Sequence, residues 1–143
     1  MAVANESIGI AGYAHAGIAV TDLERSLDFY CGVLGLHQVE RPDLPIVGAW
    51  LQMGNAQLHL AQIEEMPGRD PLGVAHVAMW LPGKDAYDRA MAELERRGVA
   101  PGKARPAAYR EDNGVPVWFT VLYDPDGNTV ELTTQDPRPS AAA

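Results

Sequence analysis

Residues 15–36, HAGIAVTDLERSLDFYCGVLGL, decide the fold, because they predict a β-strand followed at once by an amphipathic helix. Small and β-branched side chains across residues 13–21 favour the strand. Asp22 is placed to accept hydrogen bonds from the first turn of the helix, and Gly35 is suited to end it. The apolar side chains between them recur at helical spacing, at Leu23, Leu27, Tyr30 and Leu34.

Three further strands are predicted after this helix. Residues 37–40 form the first, and residues 49–53 and 57–62 form the other two after a proline-broken loop. Gly54-Asn55 separates the last two strands and has the chemistry of a tight hairpin turn. The first half of the chain therefore predicts a βαβββ unit.

The pattern restarts in the second half of the chain. Residues 74–81 predict a strand, residues 84–97 a helix, and residues 100–108 a loop rich in proline, glycine and alanine. A strand over Val115–Tyr123 follows, and the turn Asp-Pro-Asp-Gly leads into a last strand over residues 128–133. The second half therefore repeats the first with a longer internal loop.

The repeat predicts the architecture. We expect an α+β fold in which two βαβββ modules, residues 13–62 and 73–133, form a cupped mixed sheet with helices on its outer face. Together they make a single domain over residues 13–133. Residues 1–11 are predicted to be an N-terminal extension, and residues 136–143 a disordered tail because DPRPSAAA has no periodicity.

Four strands of this repeat carry an imidazole or a carboxylate opposite their apolar face. Side chains alternate across a strand, so each of these groups would point away from the residues that pack on the helix. A lone strand histidine is more often structural, but four such groups at repeat-equivalent positions favour one site. Imidazole and carboxylate together suit a divalent metal, Zn, Ni, Fe, Mn or Co. The candidate ligands are His15, His59, His76 and Glu131.

Other residues with useful chemistry have simpler interpretations. His37 has no counterpart in the second unit and is interpreted as a surface residue, and Cys31 as helix packing. The turn explains Asp124 and Asp126. The three tryptophans, Trp50, Trp80 and Trp118, are interpreted as core or cavity-wall residues. Loop cations could meet an anionic ligand or simply be solvated, and they are Arg41, Arg69, Lys103, Arg105 and Arg110.

Composition excludes several classes of function. The chain has 143 residues, a formal net charge of −8 and a pI of about 4.8, so it would repel nucleic acid and anionic lipid. No apolar run approaches the roughly 20 residues that cross a bilayer, and we see no secretory signal. Its one cysteine rules out an intrachain disulfide and favours a cytoplasmic location.

Four segments resemble the vicinal oxygen chelate superfamily: residues 15–36, GAWLQMGNAQLHL (48–60), AHVAMWL (75–81) and LYDPDGNTVEL (122–132). This superfamily includes glyoxalase I, extradiol dioxygenases, methylmalonyl-CoA epimerase, fosfomycin-resistance enzymes and bleomycin-binding proteins. The resemblance implies a metal held by the first and last strands of each module, at His15, His59, His76 and Glu131. It also implies a homodimer, because relatives commonly pair modules across subunits.

The same resemblance implies a metal-dependent enzyme acting on a small, oxygen-chelating substrate. We expect glyoxalase-like lyase or isomerase chemistry through an enolate-type intermediate, with Glu131 as general base. Glyoxalase I usually has a glutamate at the place of His59, which departs from that pattern. The alternatives are an extradiol-type dioxygenase or an epimerase, and a small-molecule-binding resistance protein without catalysis. Extradiol enzymes carry a further histidine before the final turn, and this chain has none after His76.

Overall fold

A computed structural model describes residues 8–68, 70, 74–99, 108–112 and 114–135, with the backbone alone described for 108–112. The first module contains β1 (His15–Val20), α1 (Leu23–Leu27) continuing as a π-helical segment (Asp28–Val33), β2 (His37–Val39), β3 (Gly48–Met53) and β4 (Ala56–Gln62). The second contains β5 (His76–Trp80), α2 (Lys84–Arg96), β6 (Ala108–Asp112), β7 (Val115–Tyr123) and β8 (Thr129–Gln135).

Each module contributes one four-stranded sheet, and the two sheets have the same strand order. The orders are β1-β4-β3-β2 and β5-β8-β7-β6. In each sheet the first strand is parallel to the last strand of its module, and the other neighbours are antiparallel. The predicted α+β class of two βαβββ modules is therefore confirmed. The strand β6 was not located by the sequence, because its residues AYRED lack an apolar alternation.

The first helix begins where its sequence predicted. Asp22 Oδ1 accepts a hydrogen bond from the backbone nitrogen of Arg25 at 3.1 Å, which satisfies a free donor of the first turn. The helix then widens, and Leu34 N donates to Phe29 O, five residues back, at 3.0 Å. Phe29 and Tyr30, although adjacent in sequence, are both buried.

The apolar faces of the strands form a core shared by the two modules. Buried alternating residues include Ala16, Ile18 and Val20 on β1, and Leu58 and Leu60 on β4. Val130 and Leu132 repeat the pattern on β8. Burying one such leucine contributes about 1.5–3 kcal/mol, and a one-residue slip of register would expose the whole set. The core therefore fixes which residues face away from the helices.

The turn before β8 joins the second module to the first. Asp124 Oδ1 accepts from the backbone nitrogens of Asp126 and Asn128 at 2.9 and 2.8 Å, which confirms the turn interpretation of these acids. Asp126 also accepts from Thr21 N at 3.0 Å, and Asn128 Nδ2 donates to Ala19 O at 2.8 Å. The same residues thus build the turn and attach it to β1.

Some predictions fall outside the described residues. The tail at 136–143, residues 1–7 of the extension and most of the loop at 100–108 belong to this group. None of the helices in the described part of the chain has the length and apolar character that a transmembrane segment requires.

Candidate metal centre

His15 and His59 meet Trp50 on the first sheet. Trp50 is directly opposite His59 in the register of β3 and β4, and their rings stack at 4.7 Å with an interplanar angle of 10°. The same indole lies 4.7 Å from the His15 ring at 60°. The two imidazole centroids are 6.5 Å apart. Trp50 therefore contacts both candidate ligands of this module and orients them.

The surroundings of His59 favour the neutral form of its ring. Its Nε2 is buried and has no hydrogen-bond partner among the described residues. Burial, then the charge of Arg41, then the neighbouring His15 lower the pKa of His59 below its ordinary value. A neutral imidazole with a free lone pair is the species that ligates metals, so these conditions favour a ligand role.

His76 and Glu131 form the corresponding pair on the second sheet. His76 Nε2 lies 3.3 Å from Glu131 Oε2. The other ring nitrogen, Nδ1, lies 2.8 Å from the Val74 carbonyl oxygen, so it carries the proton and donates it to that oxygen. In a neutral ring this leaves Nε2 with a lone pair facing a carboxylate. A cation between them would satisfy both groups, and the anchored Nδ1 is the usual support of a metal-binding histidine.

The structure places the four predicted ligands in two separate pairs, His15 with His59 and His76 with Glu131. The members of each pair lie on neighbouring parallel strands, β1 with β4 and β5 with β8. Among the described residues, no group of three or more histidine, cysteine, aspartate or glutamate side chains is placed to hold a metal. Metal sites of this donor type use three or four protein ligands, so neither pair is complete alone.

The residue types present nevertheless fit a divalent metal. The first pair contains a buried imidazole nitrogen without a hydrogen-bond partner among the described residues, and the second adds an imidazole nitrogen that faces the one carboxylate. Three imidazoles and one carboxylate suit the borderline metals named above.

Trp50 was predicted as a core or cavity-wall residue and Arg41 as a loop cation, but neither was assigned to the metal site. Arg41 Nη2 donates to Leu44 O at 3.1 Å and also to Ile46 O, within the loop between β2 and β3. The sequence of the hairpin was sufficient to predict that Trp50 lies opposite His59. A two-residue Gly54-Asn55 turn pairs Met53 with Ala56, and counting back along both strands places Trp50 opposite His59.

Three other residues considered in the sequence analysis, His37, Cys31 and Trp118, lie outside the two ligand pairs. His37 is exposed as predicted, although its register with Gln52 puts it on the same face as His59. Cys31 packs against the core, where burial raises the pKa of its thiol. Lys84 Nζ lies 5.1 Å from the ring centre of Trp118.

Apolar surface surrounds the second pair. Trp80 follows His76 on the same face of β5 and is 66% exposed, and Tyr123 on β7 is 42% exposed. A cavity of about 680 Å³ opens beside His76, between the β3–β4 turn and α2. This volume lies in the range of small-molecule sites, roughly 300–1,000 Å³.

Comparison with known proteins gives concordant results. A sequence model of the Glyoxalase/Bleomycin resistance protein/Dioxygenase superfamily matches residues 12–132. The chain is 30% identical over 129 residues to catechol-2,3-dioxygenase of Bacillus subtilis, an alignment that covers 87% of this chain and 41% of that protein. It is 23% identical over 142 residues to glyoxylase I 4 of Arabidopsis thaliana, covering 95% of this chain and 78% of that protein.

Solved structures show the same fold. A glyoxalase family protein from Bacillus anthracis superposes with a TM-score of 0.69 at 22% identity, covering 90% of this chain and 98% of that one. The chain spans less than half the length of the dioxygenase it matches.

Proposed function

The chain belongs to the glyoxalase/bleomycin resistance protein/dioxygenase superfamily, and from that premise we propose that it is a cytoplasmic, homodimeric, metal-dependent enzyme. Its substrate is a small molecule with neighbouring oxygen atoms. The proposed reaction is of the lyase or isomerase type and begins with removal of a proton from the carbon next to a substrate oxygen.

One observation carries this proposal. The four candidate ligands stand as two incomplete pairs, one on each sheet. Two-fold pairing of two chains lets the first-module pair of one subunit meet the second-module pair of the other, which gives two complete sites per dimer. The edge strands β1 and β5 support this arrangement, because each has one side without a paired strand among the described residues.

Each side chain has a defined task in the proposed mechanism. When bound, the metal supplies Lewis-acid polarisation of a substrate oxygen. His15 and His59 would hold it from one subunit, with Trp50 fixing their rings. His76 would hold it from the other, anchored through Nδ1. Glu131, with 15% of its side chain exposed, takes the proton from the substrate carbon and returns it at a neighbouring atom.

The first experiment measures metal content and solution mass of the purified protein, followed by a substrate screen with the metal found. We expect about one metal per chain and a dimer. Changing His76 or Glu131 to alanine should lower metal content strongly, because each change removes a ligand. Unchanged metal content in both variants, or a clean monomer at active concentrations, would contradict the proposal.

The second experiment tests Glu131 as the base. Glu131→Gln keeps the size and a ligating oxygen but removes the basicity, so turnover should fall by about 10²–10⁴-fold in fully metal-loaded protein. Glu95→Gln, on the exposed side of α2, is the matched control and should leave turnover unchanged. Near wild-type turnover of the metal-saturated Glu131→Gln enzyme would leave Glu131 as a ligand only.

An extradiol-type dioxygenase is the second candidate. It is favoured by the relative named catechol-2,3-dioxygenase, and by His15, His76 and Glu131, which supply two imidazoles and one carboxylate. Bound iron together with oxygen consumption on a catechol would select this chemistry. If the purified protein carries no metal but still binds a small molecule, the result would instead favour a small-molecule-binding resistance protein without catalysis.

A further inference from the structure

Three buried nitrogen atoms without a hydrogen-bond partner in the described part of the chain belong to residues of the first module. Five buried side-chain polar atoms of the described residues lack a hydrogen-bond partner, and three of them are Arg41 Nε, Trp50 Nε1 and His59 Nε2. The proposed metal accounts for His59. The other two are N–H groups that can only donate, and a buried donor without an acceptor is destabilising by about 1–3 kcal/mol. These two donors therefore call for an acceptor that the described residues do not supply.

The register places Trp50 beside His59 and brings the end of β2, just before Arg41, next to Trp50. Val39 on β2 pairs with Trp50 on β3, and Trp50 pairs with His59 on β4. Arg41 follows Val39 by two residues, which returns it to the same side of an extended chain. Its charge also acts on His59, whose pKa it helps to lower.

Arg41 has no counter-ion among the described residues. Its Nη2 is engaged with the neutral carbonyl oxygens of Leu44 and Ile46, and no carboxylate of the described chain lies within ion-pair distance. In a chain of net charge −8, a partly buried guanidinium fixed beside a candidate ligand, with Nε uncommitted, is an unusual local positive charge. A guanidinium N–H bonds most strongly to a carboxylate.

We propose that Arg41 Nε–H and the Trp50 indole N–H bind a carboxylate of the substrate, next to the first-module half of the metal centre. The substrate class is then a carboxylate with an oxygen on the adjacent carbon, such as a 2-oxo or 2-hydroxy acid. This proposal rests on the proposed function, whose site it extends. Both donors are buried, so the proposal requires the loop between β2 and β3, which is largely exposed, to shift when the carboxylate binds.

The test uses two probes that differ only at this position, where one carries a carboxylate and the other a neutral methyl ester. Pyruvate and methyl pyruvate are titrated into isotope-labelled, zinc-loaded protein, and the indole N–H signals are followed by two-dimensional proton–nitrogen NMR. The chain has three tryptophans, so three indole signals are expected, and Trp50→Phe identifies that of Trp50 by its loss. Trp118, which packs under Lys84, provides an internal reference.

We expect pyruvate to move the Trp50 indole signal with saturation, and methyl pyruvate to leave it in place or to bind at least about tenfold more weakly. Arg41→Gln should weaken pyruvate binding by about tenfold or more and leave the ester unaffected. Trp50→Phe keeps an aromatic ring against His59 and should weaken pyruvate by several-fold, as one lost hydrogen bond predicts. Arg89→Gln, an exposed cation on α2, is the matched control.

Two results overturn the proposal. One is a Trp50 signal that pyruvate does not move, or that acid and ester move equally. The other is an Arg41→Gln variant that weakens acid and ester alike, which would make Arg41 structural. Repeating the titration without metal separates this proposal from the previous one. A pyruvate-dependent shift of Trp50 in protein that binds no metal would support the carboxylate site while contradicting the metal centre.

Discussion

The hydroxyl of Tyr30 donates a 2.8 Å hydrogen bond to Asp124 Oδ2, joining the helix of the first module to the turn of the second. Both residues are buried. Burial and the Asp124 charge raise the pKa of Tyr30 well above its ordinary value, so the phenol stays protonated and remains the donor. This contact connects residues 94 positions apart in the chain.

Tyr30→Phe should therefore destabilise the protein while preserving the packed ring. A hydrogen bond to a charged group contributes about 1.5–3 kcal/mol, so the free energy of unfolding should fall by about that amount. Urea denaturation measures the loss. Tyr13→Phe removes a hydroxyl from a 72% exposed tyrosine and serves as the control. Equal stabilities of both variants would mean that the Tyr30 contact contributes nothing.

Gly48 allows β3 and β4 to approach each other. A β-carbon at this position would collide with the carbonyl oxygen of Leu60, which is backbone and cannot move aside alone. Gly48→Ala should cost about 1–3 kcal/mol of stability, as overpacking commonly does. Gly17→Ala is the matched strand control, because no atom lies within 4 Å of its added carbon. A lower melting temperature for Gly17→Ala than for Gly48→Ala would contradict the close approach.

The pKa of His59, followed through its ring protons in metal-free protein, should lie below the ordinary value of 6.5. Because folding lowers this pKa, the stability linked to it is complete above pH 6.5 and is lost as the pH falls through the folded-state pKa. Arg41→Gln removes one cause and should raise the pKa of His59, although burial will keep it below 6.5. A value above 6.5 in the wild-type protein would contradict the described surroundings.

Mixing two inactive variants tests whether a site is shared by two chains. His59→Ala damages the first-module pair and Glu131→Ala the second, so each homodimer lacks a complete site. In a mixed dimer one site carries both defects and the other carries none. Random re-association of equal amounts should restore about a quarter of wild-type turnover.

No recovery after mixing would place each site within one chain. Turnover should recover only when the two variants are refolded together or exchange subunits. Each variant refolded alone is the control and should stay inactive. Metal content should rise in parallel with turnover.

The sequence predicted the strands and the faces of this fold because its signals there are local. Alternation placed His15, His59 and Glu131 opposite the buried residues, and Asp22 and Gly35 marked the first helix. The grouping of the ligands depends instead on how two sheets are arranged, which no local period encodes. β6 was missed for a related reason, since it is a strand through its pairing with β7 and not through its own pattern.

The turn at residues 124–128 has made the two copies of the repeat unequal. Its acids and amide hold Tyr30, Thr21 and Ala19 of the first module, whereas the corresponding turn of the first module is only Gly54-Asn55. A chain assembled from two first modules would leave the Tyr30 hydroxyl buried without its acceptor. The two modules are therefore not interchangeable, and because each holds part of the other in place we expect the chain to unfold as one cooperative unit.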